Sequence, residues 1–278
     1  MISEEWLNNL NDEFIKRGIP HRTRASEAYR RMCLEIVDTD FNSVEARYVY
    51  EWFEKVTKPG SQNFIIKNRF PFYYDGEFWL LKIPFIAGTP LLNDIEQYLE
   101  IPEAIKNQLV QSKKSYQKFQ QHFILSLNYV LTFEEVLSLI EDNEGLKKWL
   151  GSANDELRAG IEILLSGYGI SRAALNFRNS FENFLKALIF FKLRLNDDEM
   201  RTKFNHKLAS AFDQVIKITD YKKLNSLRKV IEKFPKVEDR YDVNKFDHTV
   251  ILEILNCTQV MALHIVTFIK TELKSCSE

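Results

Sequence analysis

The sequence predicts a mainly α-helical protein that contains one small β-hairpin or sheet. The 278 residues include only 9 Gly and 7 Pro, which makes a loop-rich all-β fold improbable. Apolar residues recur at helical spacing through most of the chain. The exception is "NFIIKNRFPFYYDGEFWLLKIPFIAG", residues 63–88, whose β-branched and aromatic residues are typical of strands. We therefore expect a C-terminal helical bundle, residues 151–278, preceded by an α+β domain, residues 1–150.

The N-terminal α+β domain is expected to begin with three helices. Trp6, Leu7, Leu10 and Phe14 fall on one helical face, and "RGIP" ends that helix at Gly18 and Pro20. The second helix is predicted from about Ser26 to Val37, and the third begins near Ser43. The role of this domain is unknown from the sequence.

The aromatic stretch that follows predicts a hairpin, because Asp75-Gly76 is a favoured two-residue turn. Pro71 and Pro84 cannot donate a backbone hydrogen bond, so they favour edge strands. These aromatic side chains could stack on a ligand, but more often such a run is core.

Helices are predicted again from Leu91 to Trp149. One extends from Ser112 to Leu131, and another begins behind Thr132, with Glu135 completing a capping box. The polar stretch near residue 150 is the predicted domain boundary.

The C-terminal bundle is predicted as a series of helices joined by short polar connections. A turn at Gly167–Gly169 precedes a helix that Ser171 caps and that ends near Leu195. "LNDDEMRTKFN" is predicted as a connection, and residues 237–247 as a loop. The other helices are expected over residues 154–166, 206–218, 221–234 and 248–274.

Charge and cysteine usage limit the classes of function. The net charge is −1, so no global field draws the protein to nucleic acid or membrane. Residues 201–240 nevertheless hold eleven Lys or Arg against five Asp or Glu, a local +6 that is either a set of solvated helix faces or a phosphate-binding surface. The three cysteines have no metal-ligand spacing and indicate reduced thiols in the cytoplasm.

Several functional classes lack their sequence signals. No signal-peptide run or spanning helix is expected, so we predict no association with a membrane. No pair of histidines at metal-binding spacing and no Gly-rich phosphate loop occurs, and therefore neither a metal nor a cofactor is expected.

One polar cluster interrupts an otherwise apolar predicted helix. Arg178 and Glu182 lie four residues apart, and so do Asn179 and Asn183. The plain interpretation is an exposed helix face that carries an intrahelical ion pair.

A second interpretation comes from a resemblance to the HEPN family of helical bundles. The matching stretch is "LRAGIEILLSGYGISRAALNFRNSFENFLKALIFF", followed by "FNHKLASAFDQV" and by "DRYD" at residues 239–242. The resemblance covers roughly residues 154–274. It implies a homodimer with a site at the dimer interface, and a setting in bacterial toxin–antitoxin or anti-phage defence systems.

Catalytic HEPN members carry Arg, four to six residues, then His, and cleave RNA without a metal. Here the resemblance places the degenerate motif at Arg178, Asn179 and Asn183, with Asn183 where the histidine would stand. Cleavage by the 2′-hydroxyl needs a group that exchanges protons near neutral pH, which imidazole does and an amide does not.

Three functions follow from these observations. The preferred one is an RNA- or nucleotide-binding homodimer with little or no catalysis, which would recognise its ligand through Arg178, the neighbouring Asn179 and Asn183, and the basic stretch of residues 201–240. Glu182, His206, Lys207 and Arg240 would assist binding, and the N-terminal domain could hold a protein partner. The first alternative is a metal-independent ribonuclease with a variant site. The second is a structural or interaction protein without a ligand.

Overall fold

The computed structural model describes residues 2–35, 43–58, 68–83, 94–140, 142–167, 169–195, 197–204, 207–236 and 246–275. Within these ranges the predicted fold class is confirmed, since the protein is mainly α-helical with a small antiparallel sheet. The chain forms two compact units, Met1–Asn68 with Pro84–Leu92, and Arg69–Ile83 with Asn93–Glu278. These units differ from the predicted division at residue 150, and the hairpin belongs with the C-terminal bundle.

Three helices form the described part of the first unit: α1 Glu4–Lys16, α2 His21–Glu35 and α3 Val44–Val56. Ser3 and Ser43 cap α1 and α3 through their hydroxyl groups. The helix α2 begins at His21 rather than Ser26. Pro20 directly precedes its first turn, where a proline is tolerated because no backbone N–H is needed there. The core of this unit comprises Leu7, Leu10, Phe14, Ala25, Ala28, Tyr29, Met32, Ala46, Val49, Trp52 and Phe53.

The predicted hairpin consists of β1 Arg69–Tyr74 and β2 Glu77–Lys82, paired in antiparallel register. Asp75 and Gly76 both have positive φ, 51° and 84°, as the predicted turn requires. The strand order β1-β2-β3 leaves β1 at an edge, where Pro71 is tolerated. Pro84 lies outside the described residues.

The region predicted as wholly helical after Leu91 contains a third strand. A 3₁₀ turn, Ile95–Tyr98, leads into β3 Leu99–Glu100, which pairs with β2. Pairing with the hairpin, a contact distant in sequence, here outweighs local helical preference.

Two helices follow, α4 Glu103–Gln111 and α5 Lys113–Leu139. The break predicted at Thr132 is wrong, because α5 continues through it without interruption. Phe133 and Val136 extend the buried stripe of Phe119 and Val130, so packing keeps the helix intact.

The helix α6 Glu144–Leu165 passes straight through the boundary predicted near residue 150. It packs antiparallel on α7 Ile170–Leu193, which agrees with the predicted helix from Ser171 to Leu195. The cap is Gly169, with φ 78°, and not Ser171. A left-handed backbone at this position favours glycine.

The remaining helices complete the bundle around α7. They are α8 Asp197–Phe204, α9 Leu208–Thr219, α10 Arg228–Ile231 and α11 His248–Ser275. The stretch predicted as a polar connection thus contains α8, and the helix predicted over 221–234 is a 3₁₀ turn, Lys222–Leu227, followed by the short α10. The loop predicted over 237–247 lies mostly outside the described residues.

The final helix α11 is long and apolar enough to cross a membrane by length and composition alone, and more than half of its apolar window is buried in the protein. It packs on both α5 and α7. Ile251, Ile254 and Leu255 on this helix are buried and form part of the core.

Close packing of α6 on α7 depends on a glycine. A methyl group added at Gly160 would lie 2.5 Å from the Phe177 ring, whereas nothing lies within 4 Å of one added at Gly151. We expect Gly160→Ala to lower the free energy of unfolding by about 1–3 kcal/mol through overpacking. Gly151→Ala, the control in the same helix, should raise it by about 0.5–1 kcal/mol. Urea denaturation measures both, and stabilisation by Gly160→Ala would contradict this packing.

Candidate functional site

The polar cluster of α7 divides into two groups on different sides of the helix. Arg178 and Glu182 are buried, whereas Asn179 and Asn183 are half-buried. The i,i+4 ion pair predicted for Arg178 and Glu182 is present, but the exposed face predicted for it is wrong. The two groups therefore require separate chemical accounts.

The first group is a buried cluster of three charges, Arg178, Glu182 and Lys186, which we call the α7 charge cluster. Arg178 Nη1 donates to Glu182 Oε2 at 3.1 Å, and Lys186 Nζ donates to Glu182 Oε1 at 2.6 Å. The Lys186 ammonium also lies 5.6 Å from the centre of the Trp149 ring, within cation–π range. One carboxylate thus links two cations spaced one helical turn to either side.

Burial determines what the α7 charge cluster can do. The side chains of Arg178 and Glu182 are 7% and 5% exposed. A phosphate could contact this guanidinium only if the Arg178 side chain became exposed and its ion pair with the carboxylate broke. In the folded chain, the enclosure of Arg178 and its ion pair with Glu182 stand between the guanidinium and a ligand.

The second group joins α7 to α6 through two hydrogen bonds between side chains. Asn183 Nδ2 donates to Ser152 Oγ at 3.1 Å. One helical turn away, the amide of Asn179 donates to the carboxylate of Glu156. Both asparagines that the resemblance places in the motif are thus engaged in a ladder between two helices.

The Glu156 carboxylate is the titratable group of this ladder. Its pKa is raised above the ordinary value, chiefly because partial burial disfavours the charged form, and the negative charge of Asp155 adds to the increase. The hydrogen bond from Asn179 acts in the opposite direction. This half-buried carboxylate lies one helical turn along α6 from Ser152, the partner of Asn183.

The described residues of this region do not combine into a ribonuclease site. Asn183 offers only an amide, and that amide already donates to Ser152. Arg178 lies on another side of α7, in the α7 charge cluster. The chemistry needs a guanidinium and a proton-exchanging group that face one shared substrate position, and the described residues of this region do not bring such a pair together.

Exposed lysines are concentrated in residues 207–236, which we call the basic segment. It holds eight Lys or Arg and three Asp or Glu, a net +5. Lys217, Lys222, Lys223 and Lys229 are all exposed, and no acidic partner is recorded for them among the described residues. By contrast, Arg228 pairs with Asp213, and Lys233 pairs with Glu253.

Of the four residues predicted to assist binding, only Lys207 is both described and part of the basic segment, as its first residue. Lys207 is exposed and directly precedes α9. His206 and Arg240 lie outside the described residues. Glu182, predicted to assist binding, belongs to the buried α7 charge cluster instead.

Metal and thiol chemistry find no support in the described part of the chain. No group of three or more His, Cys, Asp or Glu side chains there could hold a metal ion. Burial raises the pKa of the Cys257 thiol to about 12, so this thiol stays protonated and unreactive. His264 stacks on Tyr221, and its Nε2 has no hydrogen-bond partner among the described residues.

Sequence reasoning missed Ser152, Glu156 and Lys186. A signal for the first two was available, because Ser152 and Glu156 lie nearly as far before the Gly167–Gly169 turn as Asn183 and Asn179 lie after it, to within one residue. Residues equidistant from the turn of an antiparallel helix pair face each other. Lys186 continues the i,i+4 series of Arg178 and Glu182, and this was visible in the sequence as well.

Comparisons with known proteins identify no relative of this chain. No protein-family model matches it, and neither the curated proteins nor the solved structures contain a significant match. The function must therefore be argued from the chain's own residues.

Proposed function

We propose that the protein is a HEPN-like helical bundle that binds RNA or a nucleotide without cleaving it, and that the basic segment is its contact surface. The supporting observation is the set of exposed lysines at residues 217–229, which have no acidic partners among the described residues. The sequence resemblance adds a homodimer and a toxin–antitoxin or anti-phage defence setting to this proposal, with the N-terminal unit available to a protein partner.

Electrostatics favours phosphate as the group that these lysines recognise. The whole chain has a net charge of −1, so the +5 of the basic segment is a local concentration rather than a general excess. Flexible exposed lysines contact phosphate oxygens without reading base identity, and binding releases counterions from the nucleic acid. Affinity governed by such contacts is sensitive to salt and tolerant of sequence.

Cleavage is not part of the proposal, because the degenerate motif lacks the chemistry that it needs. Asn183 cannot exchange a proton near neutral pH, and losing one general acid–base group typically costs about 10²–10⁴ in rate. The interpretation of the motif as a catalytic remnant now rests on the resemblance alone. Metal-independent cleavage of RNA by the purified chain would favour the ribonuclease alternative.

Replacing two adjacent lysines tests the proposed surface. We expect Lys222→Gln/Lys223→Gln to weaken binding of a single-stranded RNA about tenfold at low salt, as measured by fluorescence anisotropy. The slope of log K against log salt should become shallower by about 1.4, since each lost phosphate contact on a single strand contributes about 0.7.

Lys113→Gln/Lys114→Gln is the matched control, because it removes another adjacent pair of exposed lysines outside the basic segment. This control should leave both affinity and salt slope within twofold of the native protein. Equal effects of the two double variants, or no salt-sensitive RNA binding by the native chain, would overturn the proposal.

A further inference from the structure

A cavity of about 510 Å³ lies between the hairpin and two helices, all within the second unit. Its walls come from β1, α5 and α11. This volume is within the range of small-molecule sites, which commonly combine apolar walls with a few polar groups. The cavity shares no described residue with the α7 charge cluster or with the basic segment.

The inner wall is aromatic and aliphatic. Phe72 and Tyr74 present nearly parallel rings, with centroids 6.4 Å apart and planes 14° apart. Leu125, Leu252 and Val260 supply the aliphatic part of the wall. Flat apolar surfaces of this kind accommodate a planar ring by stacking and burial.

One side-chain contact connects the hairpin to α5, and a second lies within the hairpin. The imidazole of His122 bonds to the carbonyl of Pro71, which ties β1 to α5. The indole Nε1 of Trp79 donates to the Tyr74 carbonyl at 2.8 Å and fixes the end of β1. The walls of the cavity thus come mainly from regular secondary structure rather than from a surface loop.

The rim is polar and carries one cation. Lys118 is exposed at the rim, with no acidic partner recorded among the described residues, and Ser115, Gln121 and Asn256 offer neutral polar groups. Asp75, at the hairpin turn, is the acidic residue of the lining. Lys118 can therefore bind one negatively charged group of a ligand at the α5 side of the rim, and the neutral polar side chains can donate hydrogen bonds to that group.

The surroundings of Lys118 reinforce the preference for an anion. The helix α5 has no acidic residue in its first turn, and Lys113 and Lys114 occupy that turn. Cations at a helix N-terminus add to the positive end of its dipole, an arrangement that is unfavourable in the free helix. An anion beside Lys118 relieves that excess of positive potential.

We propose that this cavity binds a small planar aromatic molecule that carries one anionic group. The ring lies against Phe72, Tyr74 and Leu252, and the anion lies beside Lys118. Carboxylate and phosphate are the two sources of that charge, and ligands with one shared ring distinguish them.

Isothermal titration of the full chain with three naphthalene ligands tests the proposal. The ligands are 1-naphthoate, 1-naphthyl phosphate and the neutral 1-naphthamide. We expect at least one anionic ligand to bind about tenfold more tightly than the amide. Stronger binding of naphthoate identifies a carboxylate as the natural charge, and stronger binding of the phosphate ester identifies a phosphate.

Three variants locate the binding. Lys118→Gln should abolish the preference for the anion, whereas Lys229→Gln, which removes an exposed lysine outside the lining and outside α5, should preserve it. Val260→Trp fills the cavity from an exposed wall position and should weaken all three ligands about tenfold or more. Because Val260 is partly exposed, this change leaves the core intact.

The proposal is overturned if neither anion saturates the protein below about 1 mM, or if the amide binds as tightly as both. It is also overturned if Val260→Trp leaves the affinities unchanged. Loss of ligand binding in Lys222→Gln/Lys223→Gln would likewise overturn it, because the ligands would then bind to the basic segment and not to the cavity. Failure of RNA binding with ligand binding retained would remove the proposed function and leave this cavity site standing.

Discussion

Glu182→Gln should lower the free energy of unfolding by about 3–5 kcal/mol, the largest effect expected for a single substitution in this chain. Glutamine keeps the shape of the side chain but removes the negative charge that links Arg178 to Lys186. Two buried cations would then lose the carboxylate that they share, and removing one partner from a buried ion network is strongly destabilising. Urea denaturation followed by circular dichroism measures the change.

The matched control is Glu162→Gln, which makes the same chemical change in an ion pair with Arg69 where both side chains are partly exposed. Solvent screens that pair, so its loss should cost less than about 1 kcal/mol. Similar small effects of both substitutions would show that the α7 charge cluster is open to water, contrary to its burial here.

Acid should destabilise the second unit through His122. Loss of solvation lowers the pKa of this imidazole to about 4 from an ordinary 6.5, against the opposing effect of its hydrogen bond to Pro71. Between these two pH values the unfolded chain binds more protons than the folded one, so stability falls as pH falls. The maximal loss, reached near pH 4, is roughly 3 kcal/mol.

Unfolding free energies measured between about pH 7 and 4.5 test this, with His122→Gln as the variant. The variant should show a shallower fall in stability over that interval.

Other groups also titrate in or near this interval. His264, whose pKa is also lowered by burial, contributes in the same direction as His122, and Glu156, whose pKa is raised, contributes in the opposite direction. Glu13 and Glu135 have lowered pKa values, so they change the free energy of unfolding mainly at pH values below this interval. Parallel pH profiles for the two proteins would contradict the role of His122.

Local signals predicted much of the fold. Apolar spacing located α1, α7 and α11, and the Asp75-Gly76 dipeptide located the hairpin. Pro71 also indicated the edge strand correctly. Each of these features depends on residues close together in sequence, and a single chain contains that information.

Features set by distant contacts were predicted poorly. Thr132 resembles a helix cap in isolation, but α5 continues because Phe133 and Val136 pack into the core. The boundary near residue 150 fell inside α6 because a polar, glycine-containing stretch can also be the exposed side of a helix. Local composition does not reveal which face another element covers.

The candidate site shows the same limit. The spacing of Arg178 and Glu182 correctly predicted their ion pair, but exposure depends on the neighbouring helices of the bundle. The pairing of Asn183 with Ser152 needed the α6–α7 register. Residue types and spacing can therefore suggest candidate site residues, but the tertiary packing determines whether those residues are accessible to a ligand.

One measurement tests most directly whether binding belongs to the basic segment and not to Arg178. The triple variant Arg178→Met/Glu182→Leu/Lys186→Met replaces the α7 charge cluster with apolar side chains of similar size, a change that buried ion groups often tolerate. We predict that this variant folds and binds single-stranded RNA with the affinity and salt slope of the native protein. A folded triple variant that has lost RNA binding would contradict the account and return the site to Arg178.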